Sequence, residues 1–111
     1  MTKDITESDW KLFRKLHPIA VERFCQQILN ELEAVSADDS KSCHQRYLDI
    51  FKLVARRDKE LATAFDDLRR STALMQIIAV YGRGLLTDDE LNGFSPALVH
   101  VVRALTHARH P

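Results

Sequence analysis

The chain has 111 residues, 16 Lys and Arg against 16 Asp and Glu, and a hydrophobic fraction of 45%. A chain of this length can bury a core without a metal or a disulfide framework. Three Gly and three Pro leave little room for the many turns of a β-rich fold. We therefore expect one all-α domain over residues 1–111, with residues 1–7 disordered or loosely packed.

The charges balance along the chain as well as in total. Four consecutive stretches each lie within one charge of neutrality, namely 1–37, 38–58, 59–84 and 85–111. Nucleic-acid binders usually need an excess of Lys and Arg, because neutralised phosphates supply most of their affinity. The balanced charge argues against a nucleic acid as partner.

Two further features concern location. The N-terminal residues 1–9 are polar and acidic, unlike a secretory signal, and the apolar run 77–81 is far shorter than a membrane-spanning helix. Cys25 and Cys43 lie outside any metal-binding or CxxC spacing. These observations predict a cytoplasmic protein with no membrane partner and two reduced cysteines.

The first helix is predicted from apolar residues that recur at steps of three and four, with Thr6 or Ser8 as its cap. Pro18 lies inside this pattern and removes a backbone hydrogen bond to the carbonyl near Arg14. Because the pattern keeps its phase across the proline, we expect a long helix kinked at Pro18, or two helices that meet there at an angle, rather than a loop. A polar connector follows at 36–41. The apolar positions are Trp10, Phe13, His17, Val21, Phe24, Ile28, Leu32 and Val35.

A second helix is predicted to begin at Ser40 or Ser42 and to carry one apolar face. Asp58 falls within the continuing apolar pattern, and one helix over 43–81 would be about 58 Å long, too long for this domain. We therefore expect the chain to reverse at 56–59, with Asp58 as the cap of the next helix. The apolar face consists of Cys43, Tyr47, Phe51 and Val54, and the pattern continues through Leu61, Phe65, Leu68, Thr72, Met75 and Ala79.

The last third of the chain predicts three more helical segments. Residues 72–81 are apolar on nearly every side, which is typical of a central helix or of one covered by another subunit. A short helix over 87–92 is marked by the capping-box spacing of Thr87 and Glu90, and Pro96 marks the start of a final helix. The expected architecture is a single-domain helical bundle of five or six helices.

Candidate ligand-binding residues are polar groups close to the apolar faces: His17, Arg69 and Gln76. The sequence has none of the GxSxG, HExxH, GxGxxG or Walker patterns, so we name no catalytic residue and no cofactor. His100, His107 and His110 share the exposed side of the final helix without an acidic or cysteine partner there. They are predicted to be solvated, with no metal site.

The leading functional hypothesis is a non-catalytic protein–protein interaction or regulatory domain, expected to form a homodimer. Its proposed interface comprises Trp10, Phe13, Leu74, Ile77 and Tyr81. One alternative is a small-molecule-binding protein or enzyme whose inter-helical pocket uses the three polar candidates. A lesser alternative is a helix-turn-helix DNA binder formed by the final helix pair and the turn at Gly93, although Asp89 and Pro96 occupy unfavourable positions for that motif.

Overall fold

The computed structural model describes residues 5 to 107, which form five helices and no strand. The prediction of an all-α chain is confirmed over this range. Within the same residues, no helix combines the length and the apolar character needed to cross a membrane. The helices are α1 (Glu7–Ser36), α2 (Cys43–Phe65), α3 (Ala73–Gly82), α4 (Asp88–Leu91) and α5 (Pro96–His107).

Local capping signals place most of the helix starts. The side chains of Thr6 and Ser42 each accept a hydrogen bond from the amide three residues on, at 3.2 and 3.0 Å. Thr87 and Glu90 form a reciprocal capping box at α4, with distances of 3.0 and 2.8 Å. α5 begins at Pro96. The predicted starts of these four helices are therefore confirmed, because each depends on residues within one turn.

α1 continues through Pro18 as one helix of 30 residues, which corresponds to a length of about 45 Å. Leu16 and Ala20 are buried on either side of the proline. Packing against the core therefore holds the helix before and after the missing hydrogen bond.

α2 runs without a break from Cys43 to Phe65, so the predicted reversal at 56–59 is wrong. Asp58 is exposed, and a solvated carboxylate does not require the helix to end. The chain reverses at 66–72 instead, where Asp67 has a φ of 63°. Aspartate adopts this left-handed conformation more readily than most residues.

α1 and α2 form an antiparallel hairpin along the 56 Å long axis of the molecule. Near its tip, Arg46 donates a hydrogen bond of 2.6 Å to the Ser36 carbonyl. Half-way along, Arg57 contacts Glu31 at 2.6 Å. α1 is long enough to pack along the whole of α2. Because of this pairing, α2 can be longer than the sequence predicts.

The core lies at the base of this hairpin, where α3, α4 and α5 pack against it. α3 contacts α1, α2 and α5, which explains its apolar character on nearly every side. These contacts favour the alternative of a central helix, although Met75 remains 67% exposed. Coverage of part of this segment by another subunit stays a prediction. The largest fully buried side chains are Phe13, Phe24, Ile77, Val80, Leu85, Leu91 and Val102.

The described start of the chain is anchored at Ile5. Ile5 is buried, and its carbonyl accepts a hydrogen bond of 2.8 Å from Arg70. Arg70 also contacts the carboxylate of Glu7 at 3.0 Å. The expectation of a loose N-terminus over residues 1–7 stays a prediction, since residues 1–4 lie outside the described range.

An ion pair ties α4 to α1. Arg23 donates to both carboxylate oxygens of Glu90, at 2.6 and 3.0 Å, and to the Leu85 carbonyl at 2.9 Å. The hydrogen bonds from Arg23 lower the pKa of Glu90 to about 2; burial opposes this shift, and the Thr87 amide reinforces it. The ionised carboxylate thus caps α4 and fixes its position on α1.

We expect Glu90→Gln to lower the free energy of unfolding at about pH 7 by about 1 to 2 kcal/mol, since solvent weakens a partly exposed pair. The folded pKa of about 2 lies below the usual 4.5. The carboxylate's contribution is therefore complete above about pH 4.5 and is lost as the pH falls towards 2. Urea unfolding of both proteins across this range should show their difference shrinking with acid. A difference that stays constant would contradict the assignment.

Candidate functional site

The three predicted ligand-binding residues lie around one feature, the connection between α2 and α3. His17 reaches it from α1, Gln76 reaches it from α3, and Arg69 lies within it. The structure therefore brings the three residues to one region, as the hypothesis of a shared site requires. Their hydrogen-bond partners, however, are mainly groups of the connection itself.

His17 is held between two aromatic rings at the end of α2. Its ring contacts Phe13 and Phe65 edge to face, with centroid distances of 5.8 and 5.3 Å. Its Nε2 lies 3.2 Å from the Phe65 carbonyl. Because a carbonyl only accepts, Nε2 carries the proton and donates it to the last turn of α2. This is the bonding of a histidine that holds two helices together.

Gln76 is buried, and its amide donates to the carbonyls of Asp66 and Asp67 at 2.8 and 3.3 Å. These carbonyls follow the end of α2, where backbone acceptors lack helical partners. The Arg69 side chain is exposed and pairs with the Asp67 carboxylate at 2.6 Å. That hydrogen-bonded pairing lowers the pKa of Asp67 and raises the pKa of Arg69.

A shallow cavity of about 260 Å³ adjoins this connection, and Met75 and Gln76 contribute to its wall. The buried oxygen of the Gln76 amide has no hydrogen-bond partner among residues 5–107. The amide nitrogen, in contrast, is committed to the backbone. The hydrogen bonds of the Gln76 amide nitrogen thus stabilise the connection between α2 and α3. The Gln76 amide oxygen remains an unpaired acceptor among the described residues.

We expect Gln76→Leu to lower the free energy of unfolding by about 1 kcal/mol, because two carbonyls lose their donor while one unpaired oxygen is removed. Arg69→Ala is the control, and its effect should stay within about 0.5 kcal/mol since its ion pair is exposed. Urea unfolding measures both. A larger effect for Arg69→Ala would contradict the role given to Gln76.

The predicted interface residues are not on one free surface. Phe13 and Ile77 have no exposed area within the single chain, so they belong to its own core. Trp10, Leu74 and Tyr81 are partly buried against the same core. The apolar residues that suggested an interface thus pack α1 and α3 into the core of the single chain. Self-association itself stays a prediction.

A different apolar surface is exposed on the hairpin. We call it the hairpin face, and it consists of four large side chains beyond the core. They are Leu29 at 53% exposure, Tyr47 at 63%, Phe51 at 65% and Val54 at 45%. Three of the four belong to the apolar face that the sequence predicted for α2. The structure leaves these three side chains exposed to solvent.

The hairpin face lies on the opposite side of the hairpin from the core. Arg23 of α1 contacts Glu90 and Glu60 of α2 contacts Arg83, so both mark the side covered by α3 and α4. With a rotation of 100° per residue, all four residues of the hairpin face point to the other side of the plane through α1 and α2. Leu53, which points between the helices, is the buried residue of this part of α2.

The groove on the core side of the hairpin has a different chemistry. It has a volume of about 480 Å³ and is lined by charged residues of both signs, including Lys41, Asp49, Lys52 and Arg56. Lys41 contacts Asp49 at 2.9 Å, and this hydrogen bond lowers the pKa of Asp49. Paired charges of both signs give no single-sign surface for an anion or a nucleic acid.

The described side chains contain no group of three or more His, Cys, Asp and Glu placed to hold a metal ion. His100 is exposed on α5, while His110 and the side chain of His107 lie outside the described part of the structure. The cysteines Cys25 and Cys43 are not disulfide-bonded. Neither contributes to a cluster from which a metal site could be argued.

α4 and α5 are the elements of the helix-turn-helix alternative. Arg103 donates to Asn92 at 3.1 Å and lies 3.9 Å from Asp88, so its charge faces groups of this chain. The first turn of α4 is acidic, with Asp88, Asp89 and Glu90. A phosphate backbone would meet these carboxylates close to α5.

Comparison with protein-family models, with curated proteins and with solved structures finds no match to this chain.

Proposed function

We propose that this chain is a non-catalytic interaction domain that binds a protein through the hairpin face. The proposal is carried by one observation, the exposure of four large apolar side chains on one side of α1 and α2. At about two-thirds exposure, Tyr47 and Phe51 present roughly 250 Å² of surface, given the usual area of aromatic side chains. Leu29 and Val54 add roughly 150 Å². The largest apolar patch of a monomeric protein usually has about this size and is often its functional surface.

The chemistry of the patch favours a protein over a small molecule. Tyrosine and phenylalanine are among the residue types enriched in protein interfaces, and tyrosine is often one of the residues that dominate the binding energy. The hairpin face is open and two helices wide, whereas small-molecule sites enclose most of their ligand. The alternatives of an enzyme, a small-molecule binder and a DNA binder receive no comparable support from the described residues.

The same proposal includes the finer statements about architecture. We propose that the helices form one single-domain bundle, from which the tip of the hairpin projects. We further propose a kink of α1 at Pro18, because the proline ring clashes with the carbonyl of Arg14. A cytoplasmic location also stays a prediction.

The test uses a photo-crosslinking phenylalanine analogue in place of Phe51 in the full chain, in the cells that produce it. A variant with the analogue at Met75 is the matched control, because its exposure of 67% is close to the 65% of Phe51. We expect a discrete protein adduct from position 51 and none from position 75.

Each outcome of this experiment decides the proposal. An adduct confined to position 51 supports it, whether the captured protein is another chain or a second copy. No adduct at position 51, or the same adducts at both positions, would show that the hairpin face is not a specific protein-binding surface.

A further inference from the structure

We infer that the occupant of the hairpin face is a second copy of this chain, packed hairpin against hairpin as a layer of four helices. This inference rests on the proposed function and adds the identity of the partner. Three properties of the face support it, namely its width, its area and its charge.

The width of the hairpin face fits a two-helix partner better than a single helix. Leu29 and Phe51 lie beyond the crests of α1 and α2, so each points away from the groove between the helices. A single docked helix would fill the groove and leave both side chains partly exposed. A second hairpin covers both helices at once. The core does not obstruct it, because α3 and α4 pack on the opposite side.

One face alone presents too little area for a stable interface, and two copies approach the lower limit. One face presents roughly 400 Å² of large apolar side chains. Two copies related by a twofold axis bury roughly 800 Å² from these residues alone. The partly exposed neighbours Cys25, Leu32 and Ile50 extend this towards the roughly 1,200 Å² at the lower limit of specific interfaces. We therefore expect a weak dimer with a dissociation constant in the micromolar range.

Charge also permits two identical faces to meet. The four residues of the hairpin face are uncharged, and the chain as a whole carries no formal net charge. Asp58 is the first charged residue along this side of α2 and is exposed at the end of the face. Two copies therefore bring apolar side chains together at the centre, while exposed carboxylates of Glu33 on α1 and Asp58 on α2 lie at the edges of the face.

The experiment measures the molar mass of the purified full chain by light scattering and by sedimentation velocity at about 10 to 500 μM, a range that brackets micromolar affinity. We expect the wild type to pass from monomer to dimer within this range. Phe51→Glu should weaken dimerisation at least about 10-fold, as expected for a central aromatic residue. Tyr47→Ser is a second, milder variant of the same face, and Met75→Glu is the control that should dimerise like the wild type.

Circular dichroism and urea unfolding confirm that each variant is folded, which the exposure of all three positions favours. A wild type that remains monomeric at the highest concentration overturns the inference. A dimer that persists in both face variants, or that is lost in Met75→Glu, also overturns it. A crosslink from position 51 to a different protein would retain the proposed function and reject the second copy as the partner.

Discussion

Replacing Phe24 with alanine is expected to lower the free energy of unfolding by about 3 to 5 kcal/mol. Phe24 is only 1% exposed and packs against the Phe65 ring at a centroid distance of 6.0 Å. The guanidinium groups of Arg57 and Arg83 lie near its ring, at 5.7 and 5.4 Å from the centroid. Alanine would therefore leave a cavity where α1, α2 and the end of α3 meet.

The loss would extend beyond the cavity, because the ring supports a charged network. Arg57 contacts Glu31 and Glu60, and Arg83 contacts Glu60 at 3.4 Å. Burial raises the pKa of Glu60, but the hydrogen bonds from Arg57 and Arg83 outweigh it and lower that pKa overall. Without the aromatic ring, both guanidinium groups lose an attractive contact.

Urea unfolding at one fixed protein concentration measures this effect, since a dimer would make stability depend on concentration. Phe24→Leu keeps most of the volume and should cost less than half as much as Phe24→Ala. Ile19→Ala is the surface control on the same helix, because Ile19 is 42% exposed. A Phe24→Ala protein as stable as the Ile19→Ala protein would show that the two cationic groups and Phe65 do not depend on this ring.

The features that are predicted best from the sequence are those that depend only on residues within one helical turn. Thr6, Ser42 and the Thr87–Glu90 pair satisfy amides within three residues of themselves, so their spacing alone locates helix starts. The central position of α3 was predictable for a related reason. A segment that is apolar on nearly every side must be covered on every side.

The length of α2 could not be predicted in the same way, because it depends on a partner. Asp58 within an apolar pattern suggested a break, but the pattern on this side of α2 faces solvent. Leu16 and Ala20 were missed for the complementary reason. Both residues belong to the core that α1 shares with α3 and α5. The sequence alone does not show which side of α1 these helices will cover.

The candidate site shows the same division between local and long-range information. His17 and Gln76 are predicted from the sequence as polar groups close to apolar faces, and both are held near the core. Their partners are backbone carbonyls 48 and 10 residues away along the chain. Such carbonyls have no sequence signature. The exposure of Tyr47 and Phe51 likewise depends on which side of the hairpin receives α3 and α4.

Replacing Asp9 with alanine is the second substitution for which we expect a large effect, a loss of about 2 to 4 kcal/mol in the free energy of unfolding. Asp9 is 3% exposed, and its two carboxylate oxygens accept hydrogen bonds from the Ser95 amide at 2.8 Å and the Ser95 hydroxyl at 2.6 Å. Ser95 immediately precedes α5. The carboxylate of α1 therefore fixes the start of α5 across 86 residues of sequence.

A double-mutant cycle separates this link from the other consequences of the substitution. Asp9→Asn keeps one acceptor for the Ser95 amide, and the serine hydroxyl can rotate to accept from the new amide, so its loss should be about 1 kcal/mol. Ser95→Ala removes the hydroxyl bond alone. In the Asp9→Ala background Ser95→Ala should have little further effect, because the hydroxyl has already lost its partner. Additive losses from the two alanine substitutions, measured by urea unfolding, would mean that Asp9 stabilises the fold through contacts other than Ser95.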